Sequence, residues 1–150
     1  MPQQLATTLE VRRTIAAPRE LVFRAWTEPE MLMKWWRMDG GWSTPIAEVD
    51  LRVGGRYRMG MLEPGKDDPY VVGGVYREVT PPDKLVFTWT WEGPGSAEET
   101  LVTVEFLDLG GTTEVVLTHQ NFADQNMRDE HEKGWGGCLA QLAYLVEGGI

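Results

Sequence analysis

Apolar and polar residues alternate along most of the chain, and a spacing of three to four replaces this briefly after residue 18 and again after about residue 124. Between Leu5 and Ile15, the side chains of Leu9, Val11 and Ile15 fall on one side and Glu10, Arg12 and Thr14 on the other. That is the period of a half-buried strand. Two short helices interrupt the alternation. Pro18 suits a first helical position, and "PRELVFRAW" gathers Leu21, Val22, Ala25 and Trp26 on one stripe. In "TEPE", Thr27 and Glu30 have the spacing of a capping box, so a second helix is expected to open there and run into "MLMKWW".

After "DGGWSTP" the period of two returns in "IAEVDLRV", "GRYRMGML", "YVVGGVYREV", "KLVFTWTW", "TLVTVEFL" and "TEVVLTHQ". The joints Gly54-Gly55, "EPGKDDP", "TPPD", "EGPGSAE" and "DLGGT" are too short for crossovers, which predicts an antiparallel meander. Leu85, Phe87, Trp89 and Trp91 share one face, continued by Val102, Val104 and Phe106 and then by Val115, Leu117 and His119. That face needs a cover. The one element long enough is a C-terminal helix from Asp124 or Asn126 through Glu147, with Asp129 and Glu130 in an early turn and Gly148-Gly149 ending it.

At 100° per residue, His131, Trp135, Cys138, Leu139, Leu142 and Val146 form the inward stripe of that helix, flanked by Gly134 and Gly136. Each glycine costs an exposed helix about 1 kcal/mol relative to alanine. Close packing on a curved sheet is the expected compensation. Gly137 falls on the far side with Ala140 and Tyr144, marking a second contact surface and, through it, a possible homodimer.

Composition narrows the function classes. A chain of 150 residues, 42% hydrophobic and 10% aromatic, can bury one sizeable core, so residues 1–150 are read as a single domain. With 14 Lys+Arg against 23 Asp+Glu, the formal charge of -9 disfavours nucleic acid and anionic membranes as partners. Cys138 stands alone, which excludes an internal disulfide and makes a reduced, cytoplasmic setting the simplest reading. No basic stretch leads into an apolar run near the N-terminus, and no window reaches the roughly 20 apolar residues of a membrane span.

The order strand, two short helices, meander and long helix is carried by "APRELVFRAWTEPEMLMKWW", "DLRVGGRYRMGM", "GVYREVTPPDKLVFTWTW", "ETLVTVEF", "TEVVLTHQNF" and "HEKGWGGCLAQL". In these segments the chain resembles the START-like (helix-grip, SRPBCC) superfamily, and within it bacterial proteins similar to the C-terminal domain of the activator of the heat-shock protein ninety ATPase. The resemblance implies an α+β fold in which a curved antiparallel sheet of six to seven strands grips the terminal helix. Between them it implies a cavity, which in relatives holds lipids, sterols, polyketides or other apolar molecules. It says less about activity, because one fold hosts many functions.

The candidate lining of such a cavity is Trp35, Trp36, Met59, Tyr76, Phe87 and Trp89, together with His119, Phe122, His131, Trp135 and Leu139. Seven tryptophans and several methionines supply core filling first and a tolerant aromatic lining second, since adjacent Trp35 and Trp36 can hardly both point into one core. His119 ends a strand and His131 begins the long helix, so two imidazoles can meet at a pocket mouth. His131 sits in the family's His-x-x-Gly-Trp pattern, where its ring can simply bond a neighbouring backbone group. Two histidines and one cysteine without metal-ligand spacing do not make a zinc site, and no cofactor motif or catalytic constellation stands out. The expected function is binding of a small hydrophobic or aromatic molecule. A chaperone-partner role and a cyclase-like reaction in the same cavity are the alternatives.

Overall fold

The computed structural model describes residues 7–93 and 98–148. Leu5, Gly149 and part of the "EGPGSAE" joint therefore lie outside the described residues. The elements are β1 Thr8–Ile15, α1 Arg19–Thr27, α2 Pro29–Trp35, β2 Ser43–Val49, β3 Arg56–Leu62, β4 Tyr70–Thr80, β5 Lys84–Trp91, β6 Thr100–Asp108, β7 Thr113–Gln120 and α3 Gln125–Val146. All pairings are antiparallel, in the order β1-β7-β6-β5-β4-β3-β2. The two short helices thus carry the chain from one edge of the sheet to the other, and the meander brings it back. The result is the expected α+β arrangement of a curled sheet under a long helix.

Curvature has local causes. Register shifts between Ser43 and Ile46 and between Tyr76 and Glu78 mark bulges that bend β2 against β3 and β4 against β5. At Gly74 a Cβ atom would fall 2.0 Å from the Thr88 carbonyl oxygen, so only glycine lets β4 press this close to β5. The Thr88 hydroxyl accepts from the Val75 amide at 2.9 Å across the same irregularity. The concave face then buries Leu9, Ile15, Leu85, Phe87, Val102, Val104, Phe106, Val115 and Leu117 against Trp135, Leu139 and Leu142 of α3.

Both helix starts differ from expectation. Thr27 does not open a capping box: it is the last residue of α1, and its hydroxyl donates back to the Phe23 carbonyl at 3.1 Å. Pro29, with its fixed φ and missing N–H, takes the first position of α2 instead, and Glu28 before it is held extended at φ -95°, ψ 123°. Pro18 likewise caps α1 from outside the helix rather than beginning it. Strand β2 starts at Ser43 and stops at Val49, so "DLRV" is turn rather than strand. On α3 the Asp124 side chain accepts from the Met127 amide at 2.8 Å, and the first turn holds no acid, which places Asp129 and Glu130 one turn too late to meet the dipole directly.

The glycines of α3 act differently from the expectation. Gly136 faces open space and Gly134 makes only ordinary contact with the Met38 side chain, so neither admits the sheet. Gly137 is the position of close approach. A Cβ there would fall 2.2 Å from the Met38 carbonyl oxygen, because the loop after α2 crosses α3 at this point. Gly137 itself is therefore covered by the chain, whereas Tyr144, on the same side of the helix, is 65% exposed. Nothing in the packing explains Gly136.

Candidate functional site

The loop that crosses Gly137 forms one wall of a cleft. Trp36 ends α2 with its amide bonded to the Leu32 carbonyl, and its own carbonyl accepts from the Thr44 hydroxyl at 2.5 Å. Arg37 reaches forward to the Trp42 carbonyl at 3.1 Å. So pinned, the loop presents Trp36, Met38 and Trp42 opposite the ends of β3, β4 and β5, which contribute Met61, Tyr70, Val71, Trp89 and Trp91. The first half of α3 closes the third side with Met127, Glu130, His131, Gly134, Trp135 and Cys138. The cleft, open to solvent on its remaining side, has a volume of about 740 Å³. At the mouth Trp42 stacks on Tyr70, ring centroids 6.0 Å apart, and Tyr70 is 48% exposed.

Deeper in the molecule the space is nearly filled. Behind Trp36, Trp89 and Trp135 only about 30 Å³ remains, bounded by Tyr57, Met59, Tyr76 and Phe87. Trp89 and Trp135 lie 5.0 Å apart and Trp36 and Trp89 6.1 Å apart, so three indoles form a wall shared by both spaces. The helix thus stands off from the sheet at one end only.

Two histidines hold this wall. The Trp135 indole N–H donates to Nδ1 of His119 at 3.0 Å, which leaves the His119 proton on Nε2, 2.7 Å from the Thr100 hydroxyl. Thr100 in turn donates to the Trp89 carbonyl at 3.2 Å. His131 carries the opposite tautomer: its Nδ1–H donates to the Met127 carbonyl at 2.8 Å, and its Nε2 accepts from the Trp91 indole at 2.9 Å. Burial, reinforced by the neighbouring His131, holds His119 well below the usual histidine range. Burial also lowers His131, against the opposing pull of the Met127 carbonyl and Glu130. Both imidazoles are neutral, and all four ring nitrogens are occupied, so neither offers a free lone pair to a substrate proton. The Cys138 thiol is pushed up to about 12, mainly by burial, which disfavours the nucleophilic thiolate.

Polar capacity remains elsewhere. The Trp89 indole N–H is buried with no partner, although the residue is only 5% exposed. Glu92 at the rim is bound by Arg58 at 2.7 and 3.0 Å. Among the described residues no group of three or more His, Cys, Asp or Glu could hold a metal ion, and no helix is long and apolar enough to cross a membrane.

Of the residues singled out in the sequence, Trp36, Trp89, His131 and Trp135 line the cleft. Met59, Tyr76 and Phe87 border the small inner space instead. Trp35 and Leu139 are packed in the core; Trp35 is fully buried against Trp26 with its N–H on the Ala25 carbonyl at 2.8 Å. Adjacent Trp35 and Trp36 are thus both buried, one in the core and one on the cleft wall. His119 and Phe122 sit one layer behind, in contact with each other and with His131. Met38, Trp42, Met61, Tyr70, Trp91, Met127 and Cys138 also line it without having been candidates for it. The one signal pointing to the loop residues was Gly137, the glycine that contact with the sheet did not explain.

The sequence profile described as activator of Hsp90 ATPase homolog 1-like protein matches residues 16–147. Among solved structures, one similar protein is from Chromobacterium violaceum, 29% identical, with 98% of this chain and 99% of that one covered at a TM-score of 0.86. An AHSA1-like protein from Aeromonas hydrophila is 25% identical, with 95% and 93% covered and a TM-score of 0.79. An Hsp90 activator from Plasmodium falciparum is also 25% identical, with 95% and 96% covered and a TM-score of 0.72. Comparison with curated proteins gave no match.

Proposed function

Starting from the chain's membership of the activator of Hsp90 ATPase homolog 1-like family, we propose that it binds a small apolar or aromatic molecule in the cleft between α3, the loop after α2 and the ends of β3 to β5. The observation that carries this reading is the cleft of about 740 Å³ with indole walls, within the roughly 300–1,000 Å³ usual for ligand sites. Affinity comes from burying ligand surface against Trp36, Trp89, Trp91 and Trp135, at about 25 cal/mol per Å² of apolar area removed from water. Methionines 38, 61 and 127 let the walls adjust to shape. The lone, buried Cys138 accords with a reduced, cytoplasmic setting.

Native mass spectrometry of the protein purified from its own host is the test. A bound small molecule is expected on the native chain and absent from a Gly134→Phe variant, whose ring would occupy the cleft from α3. Equal loading of both proteins would sink the assignment of the site.

The Plasmodium falciparum relative described as an Hsp90 activator favours a second reading, in which the chain acts on a chaperone of that class. Stimulated ATP hydrolysis by such a chaperone on addition of stoichiometric protein would support it, and unchanged hydrolysis would remove it.

A further inference from the structure

The charged side chains lining the cleft are of one sign. Glu92 and Glu130 line it, and among the described residues no lysine or arginine does. Arg58 occupies Glu92 through two hydrogen bonds, but Glu130, exposed on α3, has no ion-pair partner among the described residues. Its field reaches into the site, since it opposes the lowering of the His131 pKa. The remaining walls mix Met38, Met61, Val71, Met127 and Cys138 with the rings of Trp36, Trp42, Tyr70, Trp89, Trp91 and Trp135. The faces of such rings carry partial negative charge and attract cations. An anion here would meet acid, π-faces and a chain of net charge -9; a cation would find all three favourable.

We propose that the ligand is a hydrophobic amine, positively charged at neutral pH, with its apolar body against the indole wall and its ammonium group at the mouth beside Glu130. This rests on the reading of the cleft as a ligand site. It narrows the occupant from any greasy molecule to a cationic one, and it makes Glu130 the residue that sets the preference.

Three probes with one ring system separate the possibilities: tryptamine as the cation, tryptophol as its neutral counterpart and indole-3-acetate as the anion. Saturation-transfer NMR on the full chain at low salt should rank tryptamine first, about tenfold tighter than tryptophol, with indole-3-acetate weakest. In a Glu130→Gln variant, which changes an exposed side chain, the tryptamine-to-tryptophol ratio should fall to about threefold or less, and about 0.5 M salt should shrink it in the native protein. If tryptophol or indole-3-acetate binds as well as tryptamine, or if Glu130→Gln leaves the ratio unchanged, the amine proposal is overturned while the ligand site stands. If none of the three binds, the ligand-site reading falls and the amine proposal with it.

Discussion

The indole of Trp135 on α3 is held by His119 at the end of β7, through a hydrogen bond of 3.0 Å that fixes both the tautomer of the imidazole and the tilt of the cleft wall. His119 makes no contact with the cleft itself, yet it connects Trp135 through Thr100 to the backbone of Trp89, the facing residue. Replacing His119 by leucine keeps the volume roughly and removes both bonds. The buried Trp135 N–H is then left unpaired and the Thr100 hydroxyl keeps only its bond to the Trp89 carbonyl, and we expect a loss of about 2–4 kcal/mol. Urea unfolding with an unchanged m-value measures it, and a loss under about 0.5 kcal/mol would mean that the chain of bonds contributes little.

Both histidines are neutral in the fold and shifted downward by burial. The unfolded chain takes up protons as the pH falls through the ordinary histidine value of about 6.5, while the folded chain does not. Stability should therefore be level above about pH 7 and decline below 6.5, by up to about 1.4 kcal/mol per pH unit for each histidine, until the folded values are reached. Thermal unfolding at pH 7.5, 6.5 and 5.5 reads the trend, and His131→Gln should flatten it in part. A midpoint that rises on acidification would contradict the neutral assignment.

Alanine raises helix propensity by about 1 kcal/mol over glycine. At Gly136, which faces open space, Gly136→Ala should stabilise by up to that amount. At Gly137 the same change drives a methyl group into the Met38 carbonyl, so Gly137→Ala should destabilise by about 1–3 kcal/mol and loosen the loop that carries Trp36 and Met38. Opposite signs for two adjacent glycines, by chemical denaturation, are the expected result; equal signs would place the loop elsewhere.

Cys138 lines the cleft but its thiol is pushed up to about 12. A charged disulfide reagent at about pH 8 should modify the folded protein at least about a hundredfold more slowly than the urea-unfolded chain, because only the thiolate attacks. Comparable rates would put the sulfur in a polar, open position.

The meander was legible because residues on one face of an antiparallel strand recur every second position, and β3 through β7 follow that period within a residue or two. Helix starts were less so. Thr27 and Glu30 fit a capping box locally, but Pro29 between them has no N–H to be capped and imposes its own start. The candidate site was legible where a cleft residue lies on or directly beside a periodic element: Trp36 at the end of α2, Trp89 on β5, His131 and Trp135 on α3. Met38 and Trp42 sit on a loop whose path is set by contact with a helix about 100 residues later, and no local period encodes that. The histidine bonds join positions 16 and 40 residues apart, so the sequence suggested their meeting without showing which indole each would hold.

The wall of Trp36, Trp89 and Trp135 acts as a partition between an outer chamber and a residual inner one beside Tyr57, Met59, Tyr76 and Phe87. Depth is consequently a property of single side chains and not of the scaffold. Trimming Trp89 to alanine would take away the indole the two chambers share and is expected to join them into one longer space, at a cost of about 3–5 kcal/mol for a truncated buried tryptophan.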